Sequence, residues 1–323
     1  MWHLIDEENI GDLYSTQLAD FWAEQVVQSH FVGKDGVTIQ YARSIPENAK
    51  HTIVFSNGRI ETLVKYKEFI FECHKNGIAV FTLDHRGQGL SDRMALDRQR
   101  GFVNNFTDYV DDFCQFVSEI VLPATNTKPT LVCHSMGSAI GFLSAARIPH
   151  AFCGVVFCSP MFGIKPTIPE PLLSAFLHAG LTANKLFGRR PWYAFGQHPY
   201  IDIPFAINTL THSATRYRLF REEYKNNPAL QLGGVTYQWL HQAIGAMDSI
   251  NHLAASFTLP TKVIISGSDK IVDNRKIEAV VDLLPNAEVL RIKGARHELL
   301  FESDEYRKPA VTAIFDFVCN APE

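Results

Sequence analysis

The chain has 323 residues, 46% of them hydrophobic and 20% charged, with a formal charge of −4 and a pI near 6.4. That is enough apolar chain for a large buried core in one or two domains, and it holds no broad basic field, which excludes nucleic acid as the main partner. The acidic start, Met1-Trp2-His3-Leu4-Ile5-Asp6-Glu7-Glu8, lacks an apolar signal region, and no run approaches the ~18 apolar residues of a membrane span.

In chain order, residues 16–28 read as a helix. Strand-like runs at 28–32 and 37–43 flank Gly33-Lys34-Asp35-Gly36 and predict a hairpin. Short continuous apolar runs follow at 52–55, 78–81, 130–133, 155–158, 262–265 and 289–292. Between and after them lie helical stretches near 62–75, 108–120, 137–147, 235–250, 274–284 and 305–318. Such an alternation predicts an α/β fold whose mostly parallel sheet is covered by helices on both faces, with ligand sites at the carboxyl ends of the strands.

Residues 160–234 break the rhythm: they are rich in proline and aromatics and show no clear strand. They read as a helical cap inserted between a first core part, 1–159, and a second, 235–323. The cap carries eight Lys/Arg against four Asp/Glu, a net +4, which leaves −8 for the rest of the chain. This asymmetry suggests an anionic substrate or membrane surface, although solvated surface charge is the plainer explanation. The six cysteines, Cys73, Cys114, Cys133, Cys153, Cys158 and Cys319, show no metal or redox spacing and read as buried free thiols. The expected location is the cytoplasm, with peripheral contact at the inner membrane face left open. No metal and no organic cofactor is expected.

The most informative segment is Thr130-Leu131-Val132-Cys133-His134-Ser135-Met136-Gly137. A buried strand runs through a sharp turn into a helix, which would thrust Ser135 out as a nucleophile and aim the Met136 amide at an oxyanion. The pattern sought is G-x-S-x-G, here with Cys133 at the first glycine position. A serine hydroxyl needs a base and an orienting acid, which in such folds follow in the order Ser, acid, His. Asp269 follows the 262–265 strand and is the favoured acid. Its rival Asp273 precedes Asn274 and looks like a helix cap, and Asp248 falls on a surface helix. His297 follows the last strand and is the favoured base; His134 adjoins the serine but should point away from it. After the 52–55 strand, Ser56-Asn57-Gly58-Arg59 offers the Arg59 amide as a second oxyanion donor. The glycines of Asp84-His85-Arg86-Gly87-Gln88-Gly89 lack the context of a dinucleotide site and predict a tight loop bracing the strand ends.

The segments 81–91, 134–137, 267–272 and 294–297 resemble the lysophospholipase and monoacylglycerol-lipase group of α/β hydrolases, in particular its bacterial lysophospholipase branch. The resemblance runs from about residue 25 onward and departs from the group at Cys133 and at Asn57, where glycine and histidine are usual. It implies cleavage of a single-chain lipid ester, most simply a lysophospholipid, with monoacylglycerol lipase or general carboxylesterase as alternatives. A non-catalytic binding protein of this fold would usually lack part of the Ser-Asp-His set, and a carboxylate nucleophile is ruled out by Ser135. In the cap, Leu172, Leu173, Phe176, Leu177 and Leu181 form an apolar stripe that would line an acyl tunnel, dip into an interface, or serve as cap core. Leu173, Phe176 and Leu177, with Arg189 and Arg190 as a phosphate-meeting pair, are the substrate-binding candidates.

Overall fold

A computed structural model describes residues 2–165 and 170–321, with backbone alone for 170–173. Eight strands form one sheet: β1 (Val27–Val32), β2 (Thr38–Ser44), β3 (His51–Ser56), β4 (Ile78–Leu83), β5 (Thr130–His134), β6 (Gly154–Cys158), β7 (Thr261–Ser266) and β8 (Ala287–Ile292). Their spatial order is β1-β2-β4-β3-β5-β6-β7-β8. β2 runs antiparallel to β1 and β4, and every other pairing is parallel. The helices are α1 (Glu7–Tyr14), α2 (Gln17–Gln25), α3 (Lys67–Lys75), α4 (Phe106–Phe116), α5 (Met136–Arg147), α6 (Glu170–Phe187), α7 (Ala214–Asn226), α8 (Tyr237–Leu253), α9 (Asn274–Val281) and α10 (Asp304–Asn320).

The middles of the central strands are apolar because both faces are covered. Val54, Phe81, Leu131, Phe157 and Val263 point into a core shared with α4, α5, α8 and α9. Their chain neighbours Ile53, Val80, Val132, Val156 and Ile264 point the other way, toward α2, α3, α7 and α10. This is the two-residue alternation of a strand applied to a sheet with no wet face. All six apolar runs form strands, and the hairpin joins β1 to β2. Two elements differ from expectation. The helix near 62–75 begins only at Lys67, because Leu63–Tyr66 closes as a tighter 3-10 turn. The helix α1 was not anticipated: only Ile10 is buried in it, and it packs against α7.

Within 160–234 the described residues hold α6, α7 and short turns, with no strand of the sheet. α6 lies close on α8, since a Cβ added to Gly180 would come 2.4 Å from the Tyr237 ring. α7 is embedded rather than laid on top. Its Tyr217, Phe220 and Tyr224 join the second core. Arg216, fully buried, donates to Glu68 at 2.9 Å and to the carbonyl of Glu302 at 2.8 Å. Glu7 and Asp304 complete its surroundings. One of the segment's eight positive charges is thus spent inside the protein, so the formal +4 overstates the positive face.

Candidate active site

Ser135 stands at the junction of β5 and α5 with φ 51° and ψ −119°, a left-handed conformation that a residue with a side chain adopts only under constraint. The constraints are visible. The Ser135 amide donates to the Cys158 carbonyl at 3.1 Å, and its carbonyl accepts from Ser138 at 2.9 Å and Met161 at 3.0 Å. Gly137 lets the loop after β3 approach, since a Cβ there would lie 2.1 Å from the Ser56 carbonyl oxygen. Cys133 at the usual glycine position is accommodated one helix turn further along α5: a Cβ on Gly141 would lie 2.3 Å from its sulfur. The thiol fills space that Gly141 leaves open. Burial pushes its pKa well up, so it is packing and not a reactive group.

The three side chains expected to converge do so. His297 Nε2 lies 3.0 Å from Ser135 Oγ, and His297 Nδ1 lies 2.7 Å from Asp269 Oδ2. The other Asp269 oxygen accepts the amides of Ile271 at 2.7 Å and Val272 at 3.1 Å. Burial alone would raise the Asp269 carboxyl, but His297 and these two amides outweigh it and hold it below its ordinary value. An ionised Asp269 accepts a hydrogen bond from Nδ1–H, which leaves the Nε2 lone pair facing the serine hydroxyl. Ser135 keeps 8% exposure and His297 4%, so the approach is narrow. Asp273 caps α9 by accepting the Arg275 amide, and Asp248 is exposed on α8.

The Met136 amide opens α5, where the first turn of N–H groups has no partner within the helix. On the facing loop the Gly58 amide is taken by the Glu61 carboxylate, and Arg59 follows it. The Arg59 side chain is partly buried: it donates to the Gly233 carbonyl at 2.9 Å and stacks 5.4 Å from the Trp239 ring. Burial brings its pKa down to about 10. This side chain ties the loop to neighbouring backbone, while any oxyanion contact would come from the amide alone. The 84–92 loop is braced as expected: Asp84 accepts the amides of Leu63 at 2.6 Å and Leu90 at 2.7 Å.

Of the remaining candidates, Leu173 lies outside the residues whose side chains are described. Leu177 is buried, whereas Phe176 is 53% exposed and stacks on the still more exposed Phe195. Arg189 and Arg190 are exposed. Among the described residues the stripe is therefore split, with Leu177 facing inward and Phe176 outward.

A buried polar cluster beneath the site was not foreseen. Lys65 Nζ lies 2.7 Å from carboxylate oxygens of both Glu61 and Glu298. Tyr66 donates to Glu61 at 2.5 Å, and His134 Nδ1 lies 3.2 Å from the same carboxylate. Among the described residues, Glu61, His134 and Glu298 are the one set with metal-holding geometry. The Lys65 ammonium already stands between their carboxylates as the counter-cation. The signals in the sequence were faint: the four-residue spacing of Glu61 and Lys65, and the adjacency of Glu298 to His297.

Residues 47–304 match the family described as serine aminopeptidase, S33. The chain is 36% identical to lysophospholipase L2 of Escherichia coli K12, over 93% of this chain and 89% of that one. It is 30% identical to the probable lysophospholipase L2 of Haemophilus influenzae, over 91% and 93%. Its backbone superposes on a soluble variant of monoglyceride lipase from Saccharomyces cerevisiae with a TM-score of 0.72 at 17% identity, covering 92% and 95% of the two chains. The fold is thus that of the α/β hydrolases, and the chain belongs to the serine aminopeptidase S33 family as an ester-hydrolysing enzyme.

Proposed function

We propose that this enzyme is a lysophospholipase that releases the fatty acid of a single-chain phospholipid through an acyl-enzyme on Ser135. The observation that carries the chemistry is the continuous chain of short contacts from Ser135 Oγ through the His297 ring to Asp269. Ser135 Oγ attacks the ester carbonyl as His297 Nε2 takes its proton. The Met136 and Arg59 amides hold the oxyanion, each such donor being worth ~10²–10³ in rate. The imidazolium then protonates the departing glycerophospho-alcohol. Water, deprotonated by His297, attacks the acyl-enzyme; the fatty acid leaves and the proton returns to Ser135. Asp269 stays ionised and fixes the ring. The lipid reading is supported by the lysophospholipase L2 relatives.

The same reading treats residues 160–234 as a cap and its outer face as a peripheral lipid contact. Phe176, Leu186, Phe187 and Phe195 are exposed there, with Arg189 and Arg190 next in the chain. Apolar groups beside cations suit an anionic membrane surface. Six unpaired cysteines suit a reducing compartment, so the cytoplasmic side is proposed. Among the described residues no helix is long and apolar enough to cross a membrane.

Parallel assays on lysophosphatidylcholine, monoolein and a short soluble ester test the substrate. The proposal expects the highest kcat/KM on the lysophospholipid. A preference for monoolein would move the assignment to monoacylglycerol lipase, and a preference for the short ester would remove the lipid reading.

A further inference from the structure

The buried cluster under the site raises a question of protonation that its geometry answers. His134 ends β5, directly before the nucleophile, and is almost wholly buried. Its Nδ1 faces the Glu61 carboxylate at 3.2 Å and its Nε2 faces the His297 backbone carbonyl at 3.1 Å. Both neighbours are acceptors. The Tyr66 hydroxyl lies 3.5 Å from Nδ1, but its proton is directed to Glu61 at 2.5 Å. A neutral ring carries one N–H, so it would turn a lone pair toward either the carboxylate or the carbonyl. In a buried site that repulsion is costly, and a ring that donates from both nitrogens removes it. The charge count agrees: Glu61 and Glu298 are negative, Lys65 is positive, and the set closes to zero only if His134 is positive too.

The four ions also join the parts of the site. Glu61 holds the Gly58 amide of the proposed oxyanion loop. Glu298 is the chain neighbour of His297. Lys65 bridges the two, over the rings of Phe301 at 4.4 Å and Phe220 at 4.8 Å. His134 holds the base loop directly through the His297 carbonyl. The set as a whole is neutral; within it the His134 ring lies 5.0 Å from the His297 ring, on which an imidazolium must form in each half-reaction.

We propose that His134 is a positioning residue kept as an imidazolium, which by donating to Glu61 and to the His297 carbonyl fixes the base loop against the oxyanion loop. The proposal rests on the reading of Ser135, His297 and Asp269 given above. The groups facing the ring are Glu61, Tyr66, Glu298, Lys65 and His297. Burial would lower the His134 pKa, but Glu61 and Glu298 outweigh it and push it up to about 9. A folded-state value above the ordinary ~6.5 means the contribution is complete below that pH and is lost as pH rises through about 9.

The direct test is NMR of the full chain with 15N-labelled histidine, with His134 assigned by its loss in His134→Gln. Both ring nitrogens of His134 should be protonated at pH 7.5 and one proton should leave only near pH 9; a neutral ring at pH 7.5 would overturn the proposal. Kinetics give the second arm. His134→Gln should lower kcat about 10- to 100-fold with KM nearly unchanged, the scale of a misplaced catalytic group, and should abolish the loss of kcat above pH 9. Glu298→Gln, which removes a facing carboxylate but no hydrogen bond to the ring, should move that loss to lower pH. Wild-type kcat and an unshifted alkaline limb in both variants would defeat the proposal while leaving the Ser135 chemistry intact. Turnover by Ser135→Ala would instead defeat the reading on which it rests.

Discussion

A methyl group added to α5 at Gly141 tests how the elbow tolerates Cys133. The new Cβ would stand 2.3 Å from the Cys133 sulfur, where ordinary contact needs about 3.5–4.0 Å. One of the two must move by more than an ångström. Cys133 ends two residues before Ser135 on a strand hydrogen-bonded on both sides, so the displacement falls on the elbow. Overpacking of this kind costs about 1–3 kcal/mol, and an ångström of misplacement at the nucleophile costs up to ~10² in rate. Gly141→Ala should therefore lower both the urea midpoint and kcat on a p-nitrophenyl ester. Cys133→Ala alone should cost about 1–2 kcal/mol through the lost sulfur. In the double variant the added methyl fills the vacated volume, so stability and kcat should recover most of the loss, with a coupling of about 1–3 kcal/mol. A Gly141→Ala protein as stable and active as wild type, or strictly additive effects in the double variant, would refute the packing account.

Three further outcomes are expected. Asp269→Asn should preserve the fold but lower kcat by about 10⁴, because an amide allows the wrong imidazole tautomer; a loss below tenfold in steady-state assays would contradict the orienting role. Arg216→Met should destabilise by about 3–5 kcal/mol, since buried Glu68 loses its hydrogen-bonded partner and keeps only the longer contact to Arg307 at 3.4 Å; denaturant unfolding checks this, and Glu68→Met in the same chain should restore much of the loss. Phe176→Asp with Phe195→Asp should reduce co-sedimentation with phosphatidylglycerol vesicles and turnover of micellar lysophospholipid. Turnover of a monomeric soluble ester should stay unchanged, and unaltered vesicle binding would remove these residues from any membrane contact.

The sheet was legible because each central strand is apolar on both faces, as Ile53 and Val54 illustrate by entering different cores. The convergence of Ser135, Asp269 and His297 was legible because each sits at a strand end and parallel strands deliver their ends to one rim. Other features depend on contacts no local pattern encodes. α1 has little apolar stripe of its own and is held by α7, some two hundred residues away. Arg216 reads as surface charge until its acidic partners arrive from three other parts of the chain. Phe176 and Leu177 are adjacent apolar residues, yet one faces outward and the other inward. His134 was expected to point away from the serine. It does so, toward Glu61 and the His297 carbonyl, and that pairing spans 73 residues in one direction and 163 in the other.

Rapid quenching of the enzyme with lysophosphatidylcholine in acid, followed by peptide mass spectrometry, addresses the acyl-enzyme itself. A fatty-acyl adduct should appear on the peptide containing Ser135, at that residue, and be absent from Ser135→Ala, which should also be inactive. An adduct on another residue, or continued fatty-acid release by Ser135→Ala, would contradict the mechanism.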